Sequence, residues 1–423
     1  MNYKPRVFDK LLQRKLAGMG AVLIEGPKWC GKTTTAEQLA RSKVYMNDPK
    51  KESFYVQLAQ MSPETLLSGD VPRLIDEWQV APSLWDAIRF NVDHCDGEGF
   101  FILTGSSVPA RTDKNAHSGT GRIARMQMYP MSLWESGDSN GLVNLADLFA
   151  GKAVPCANEE LSIQDLAYLT CRGGWPKATT QGKEIALDRA FDYYEAVTSR
   201  DIKRVDDVDR NTERAKRIMR SYARFQGSQT SISKIAQDIQ GNESGDISQG
   251  TVDDYISALR KLFVIEDMPA WNPNLRSKTA IRTSDTRYFI DPSIAVAALG
   301  AGPDDLINDL ETFGLLFETL CVRDLRVYAS VLNGTVYHYR DKNGLECDAV
   351  LHLRNGAYGL IEIKLGGQKL IDEGAETLKE LANKIDDTRM AKPSFMMVLT
   401  GLAPFAFQRP DGVWVVPINA LKP

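Results

Sequence analysis

The chain has 423 residues, 43% hydrophobic and 25% charged, with a formal net charge of −4 and a pI near 5.8. That length exceeds one ordinary core and predicts two or three domains, while the acidic balance excludes a whole-molecule basic field and leaves any nucleic-acid contact to local patches. Cys30, Cys95, Cys156, Cys171, Cys321 and Cys347 form no CxxC pair and read as reduced thiols of a cytoplasmic protein, and the four scattered histidines disfavour a histidine zinc site. The sequence shows neither an export signal nor an apolar run of membrane-spanning length.

Tyr3 to Leu16 reads as an amphipathic lead-in helix, which either packs on a core or lays Arg6 or Phe8 against a bound base. Next comes GAVLIEGPKWCGKTTTAEQLA, from Gly20 to Ala40. Ala21 to Glu25 has the length of a buried strand, Gly26 to Thr33 fits GxxxxGKT, and Thr34 to Ala40 has the composition of an opening helix. In that order the stretch Gly26, Pro27, Lys28, Trp29, Cys30, Gly31, Lys32, Thr33 and Thr34 makes a phosphate cradle. The glycines let the backbone bend, so that N–H groups and the helix dipole converge on phosphate oxygens, Lys32 reaches the β/γ-phosphates and Thr33 holds Mg²⁺.

An apolar strand then ends at Asp76-Glu77, at the carboxyl edge where ligands of open α/β sheets sit. Asp76 is expected to support Mg²⁺ with Thr33, and Glu77 to orient the attacking water. A third strand, from Gly99, turns abruptly into small polar residues, which places Thr104 or, better by position, Ser106 beside the γ-phosphate. Arg122 follows a glycine-rich bend at the mouth of another strand.

The set GPKWCGKTT, LIDEWQ, FILTGSS and GTGRIARMQMYPMSLWE resembles the AAA+ ATPases, in particular prokaryotic ATPases that carry a C-terminal domain of unknown function; the likeness spans most of the chain. It implies ATP and Mg²⁺ as cofactors, Arg122 as an arginine finger acting in trans, with Arg125 as the other choice, and hence a homo-oligomer, a hexamer by preference. In such lids a G-x-P-R element supplies a second sensor; here Lys177 of GGWPK stands in the arginine's place, or is a solvated helix-start lysine.

Trp134 to about Glu160 reads as an irregular linker, Ser162 to Cys171 as a helix, and the charged stretch Ile185 to Ala223 as a solvated helix pair or connector. From Thr230, a short helix, a polar loop at Gly241 to Gly250, a helix at Thr251 to Phe263 and strands near Val264 and Arg287 look like a winged helix, with Lys234, Gln249, Thr251, Arg260 and Lys261 as its DNA-facing groups. Asp253 and Asp254 on the same helix fit a packing module equally well.

The last part predicts a helix at Leu310 to Tyr328, strands at Thr335 to Tyr339, Glu346 to Leu353 and Tyr358 to Lys364, a helix near Leu370 to Ile385 and a strand at Ser394 to Leu399. Glu362 and Lys364 lie two apart on one strand and project together; with Asp348 opposite, two carboxylates could bind Mg²⁺ beside a lysine. The arrangement resembles the PD-(D/E)xK restriction-endonuclease-like fold, with Glu318 matching the helix acid, although Cys347 replaces the usual proline.

The expected architecture is an α/β chain: an AAA+ core (1–150), a helical lid and connector (151–215), a winged helix (216–300) and a restriction-endonuclease-like domain (301–423). The expected function is Mg-ATP hydrolysis driving a DNA motor for translocation, unwinding or branch remodelling, with ATP, ADP and DNA as partners. The alternative is a nucleotide-gated switch that binds protein partners and keeps an inactive nuclease-like domain as scaffold.

Overall fold

The structure is a computed structural model that describes residues 3–106, 119–206, 208–242, 247–273 and 284–423. Ser107, Ser118 and part of the Gly241 to Gly250 loop lie outside them.

The nucleotide-domain sheet is parallel and contains β1 (Ala21–Glu25), β2 (Ser42–Tyr45), β3 (Arg73–Asp76), β4 (Phe101–Gly105) and β5 (Ile123–Gln127), in the order β2-β3-β4-β1-β5. β1, β3 and β4 are apolar because helices cover both faces, the usual state of a parallel sheet. One covering layer contains Trp78, Trp85 and Ile88; the other contains Phe8, Leu12 and Leu16 of the helix Val7–Leu16. Phe8 is therefore core, and it does not face a ligand.

Beyond Gln127 the segments are not separate beads. One apolar cluster runs from Leu133 to Leu421 and takes in the helices Ile163–Arg172, Lys183–Ala196, Thr212–Arg224 and Gln249–Lys261. The stretch expected as a free linker is stitched down. β6 (Val143–Asn144) pairs with the C-terminal β14 (Leu421–Lys422), and β7 (Cys156–Ala157) joins the C-terminal sheet. Its backbone needs partners wherever apolar neighbours exclude water, and the far end of the chain supplies them.

The C-terminal sheet adds β8 (Gly334–Arg340), β9 (Glu346–Leu353), β10 (Tyr358–Lys364), β11 (Phe395–Thr400), β12 (Phe405–Gln408) and β13 (Trp414–Pro417), in the order β7-β12-β13-β11-β10-β9-β8. The helix Leu310–Val331 precedes β8, and Gln368–Lys384 crosses over between the parallel β10 and β11. The expected order of helix, three strands, helix and strand is present, and an antiparallel hairpin of β12 and β13 follows it.

In the middle region, where a wing is expected, the described residues form two antiparallel bridges, Ile265 to Phe289 and Met268 to Thr286, after the helices Ile232–Asn242 and Gln249–Lys261. A buried charge network binds the regions together. Arg323 pairs with Asp291 at 3.0 Å and with Asp324 at 2.7 Å, Asp291 accepts from the Gly174 N–H at 2.9 Å, and Asp324 accepts from the Leu133 N–H at 2.9 Å. Burial raises the Asp324 carboxyl to about 6, against the pull of Arg323.

Candidate functional site

The loop after β1 bends where only glycine serves: Gly26 has φ +149°, and a Cβ there would come within 2.2 Å of the Met128 carbonyl. Gly31, at φ +103°, caps the helix Lys32–Glu37 and aims its first N–H groups at the loop's hollow. Lys32 is buried and donates to the Gly26 and Pro27 carbonyls at 2.9 and 2.8 Å, which holds its ammonium at the mouth of the cradle. Cys30 is buried, and its carbonyl accepts from the Arg6 guanidinium at 2.8 Å. Arg6 also bonds the Tyr129 carbonyl and pairs with Glu135, both at 2.9 Å, so it clamps the loop to the strand that follows.

Asp76 ends β3 and Glu77 turns sharply away in a left-handed conformation, φ +55°. The Asp76 carboxylate accepts from the Thr33 and Thr104 hydroxyls, each at 2.6 Å. The Glu77 carboxylate accepts from the Ser106 hydroxyl at 3.0 Å and from the Gln79 amide. Adjacent acids thus point to different partners, one to the P-loop threonine and one to the end of β4. The hydroxyl and carboxylate oxygens of Thr33 and Asp76 are the hard donors that Mg²⁺ prefers, and their contact puts both on one side of the cradle.

The cradle opens into a cleft of about 830 Å³ whose far wall is Trp175, Lys177 and Arg189 and whose near wall includes Tyr3 and Lys4. Lys177 is exposed at this wall; Arg189, outside every motif in the sequence, faces the same space. No periodic signal marks Arg189, because its helix carries charges on several faces.

Arg122 lies elsewhere. It immediately precedes β5, whose Ile123 pairs with Ala21 at the start of β1, whereas the cradle follows the end of β1. The five residues of β1 put roughly 13 Å between the two ends. Its guanidinium is half-exposed and pairs with Asp93 at 2.7 Å, holding that carboxyl below its usual range. Arg125 instead pairs with Glu25 at 3.2 Å beside Trp85.

The C-terminal sheet does bring its four expected residues together. Lys364 lies 2.6 Å from Glu362 and 3.3 Å from Asp348. The pairing of β9 with β10 ends at Ala349 and Ile361, and there the Asp348 carboxylate takes over as acceptor for the Ile363 N–H at 2.7 Å. Glu318 is partly buried, accepts from the Tyr288 hydroxyl and lies beside Gly227. Burial, reinforced by Asp348, raises Glu362 to about 8 and Glu318 well above its ordinary value. Among the described residues no group of three or more His, Cys, Asp or Glu side chains could hold a metal ion. Of the expected Mg²⁺ pair, Asp348 and Glu362 both meet the Lys364 ammonium, while Glu362 Oε1 is buried with no hydrogen-bond partner among the described residues.

The expected DNA-facing residues lie at the surface, several of them with partners. Arg260 pairs with Asp267 and Lys261 with Asp206, while Lys234 lies over the Phe225 ring at 5.3 Å. Gln249 is exposed and Thr251 partly so, on a helix whose solvent side also carries Asp253 and Asp254.

Residues 19–136 match the family described as an AAA domain, while residues 163–305 and 313–421 match two domains of unknown function, DUF8612 and DUF4143. The chain therefore carries a P-loop ATPase domain of the AAA class. No curated protein matches it. Among solved structures it is similar to the Walker-type ATPase PABY2304 of Pyrococcus abyssi, at 13% identity over 69% of this chain and 94% of that one, TM-score 0.41. It is also similar to the Aeropyrum pernix ORC2 protein, at 15% identity over 62% and 86%, TM-score 0.28. Among the described residues no helix is long and apolar enough to cross a membrane.

Proposed function

We propose that the protein is a Mg-ATP-dependent, oligomeric ATPase that works as a nucleotide-gated switch. The observation that carries the hydrolytic part is the pair of contacts Thr33 to Asp76 and Ser106 to Glu77, at 2.6 and 3.0 Å. In this reading the P-loop amides and Lys32 hold the phosphates, Thr33 and Asp76 hold the Mg²⁺ that neutralises phosphate charge, Glu77 orients water, and Ser106 ties Glu77 to the γ-phosphate position. Arg122, too far from its own cradle and half-exposed, completes the site of a neighbouring copy, with a hexamer as the assembly. The exposed ring of Phe90 on the helix that carries Asp93 supports a subunit contact there.

The ion pairs of Arg260 and Lys261, and the lysine lodged between Asp348 and Glu362, favour the switch, with the C-terminal sheet as scaffold, over a DNA motor that cuts. The DNA motor is the second reading, supported by the order of helices and bridges in the middle region. Steady-state ATPase rates with duplex, single-stranded and branched DNA decide between them. The switch requires an unchanged rate with each; strong stimulation by one form, fading steeply as salt is added, installs the motor.

A further inference from the structure

The P-loop leans on the next region of the chain as well as on its own sheet. Lys28, at the lip of the cleft, pairs with Asp201 at 2.6 Å, its side chain still 45% exposed. Its neighbour Trp29 adopts φ +66°, costly for a residue with a Cβ, and meets Tyr193 edge to face at 5.6 Å. Tyr193 in turn stacks on Trp175 of the GGWPK turn at 4.3 Å, and the Trp175 indole N–H donates to Ser293 at 3.0 Å. Asp201 closes a π-helical turn, Val197–Asp201, a form that costs regular hydrogen bonding and recurs at functional sites.

From these contacts we infer that Asp201 is a positioning residue for nucleotide binding: its carboxylate latches the P-loop through Lys28 and competes with the incoming phosphates for that ammonium. The inference rests on the ATPase reading and adds its regulation. An ATP or ADP phosphate entering the cradle meets a lysine already paired and a carboxylate of its own sign beyond it. Binding then either breaks the Lys28–Asp201 pair or pulls Asp201 with it, and the second course moves the π-helical turn on the Tyr193 helix. A half-exposed pair is worth little to stability, so the effect lies in affinity and exchange. Nucleotide occupancy is thereby felt in the region where the Arg323 network begins.

The test is equilibrium binding and ADP release with fluorescent ATP and ADP analogues on the full chain, for wild type, Asp201→Asn, Lys28→Met and the double variant. Asp201→Asn should bind about two- to fivefold tighter and release ADP more slowly, the size expected of a competing exposed pair. The gain should vanish when Lys28 is already Met, since the competition runs through that ammonium. Unchanged affinity in Asp201→Asn, or the same gain in the Lys28→Met background, overturns the latch while wild-type binding leaves the ATPase reading standing. Absence of nucleotide binding by wild type overturns both.

Discussion

The nucleotide cleft and the acid-lysine cluster of the C-terminal sheet use the same residue types to opposite ends. Each has acids at or near a strand terminus with a lysine close by. In the cleft, Asp76 and Glu77 are met by hydroxyls, at 2.6 and 3.0 Å, and Lys32 by backbone carbonyls, so the charges are not spent on one another. In the C-terminal sheet Lys364 pairs with Glu362 and Asp348 directly, and the Tyr288 hydroxyl donates to Glu318. A charged group that keeps neutral partners can be turned to a ligand, whereas one paired internally must lose its partner first. The difference lies in the partner, and only the fold assigns it.

The sharpest way to break this comparison is kinetic. Arg122→Ala should lower turnover of the assembled protein by about 10³–10⁵-fold with nucleotide binding kept, and mixing it with a Glu77→Gln chain should restore activity in mixed assemblies. A full rate in Arg122→Ala alone removes the trans role. Glu77→Gln by itself should keep nucleotide affinity and lose roughly 10²–10⁴-fold in turnover, because a water-orienting group counts mainly in the transition state. Wild-type hydrolysis in that variant would empty the cleft half of the contrast.

The C-terminal half is tested by stability. Measured above pH 8, where Glu362 is ionised, Lys364→Met strands two carboxylates in a largely buried site and should cost about 3–5 kcal/mol in urea unfolding, with Glu362→Gln added to it recovering part of the loss. A neutral Lys364→Met would mean that the cluster is open to solvent or to a ligand.

The smallest effect is in pH. Burial raises the Glu362 carboxyl from 4.5 to about 8, so the folded state holds its proton more tightly than the unfolded chain does. The resulting stability is complete below the unfolded value and is lost as pH rises through the folded one. The thermal midpoint should therefore fall by a few degrees as pH rises from about 4.5 to 8, and Glu362→Gln should flatten that slope. An equal slope in both proteins would assign the effect to other groups, Asp324 first.

Much of this was legible in the sequence where the physics is local. GxxxxGKT is a backbone demand that neighbouring residues satisfy, and apolar runs ending in acids report strands and their edges; β1 from Ala21 to Glu25 and β3 from Arg73 to Asp76 follow such patterns. What the sequence left undetermined depends on distant partners. Arg6 reads from the sequence as a contact to a bound base or part of a packing helix, and its bond to Glu135 exists because the helix Leu133–Ser136, 129 positions away, returns beside it. The segment from Trp134 to Glu160 has the composition of a linker, yet β14 and β12 hold it.

By itself the sequence determined the phosphate cradle, its acid pair and the periodic elements, because each is specified by spacing along the chain. Only the tertiary structure decided which charges remain unspent. Lys364 and Lys32 are both lysines beside strand ends, and the packing around each selects whether its ammonium meets carboxylates or carbonyls. The pairing of β9 with β10 brings Asp348 beside Glu362 and Lys364, whereas the path of the loop after β1 turns the Gly26 and Pro27 carbonyls to Lys32, and spacing along one strand encodes neither.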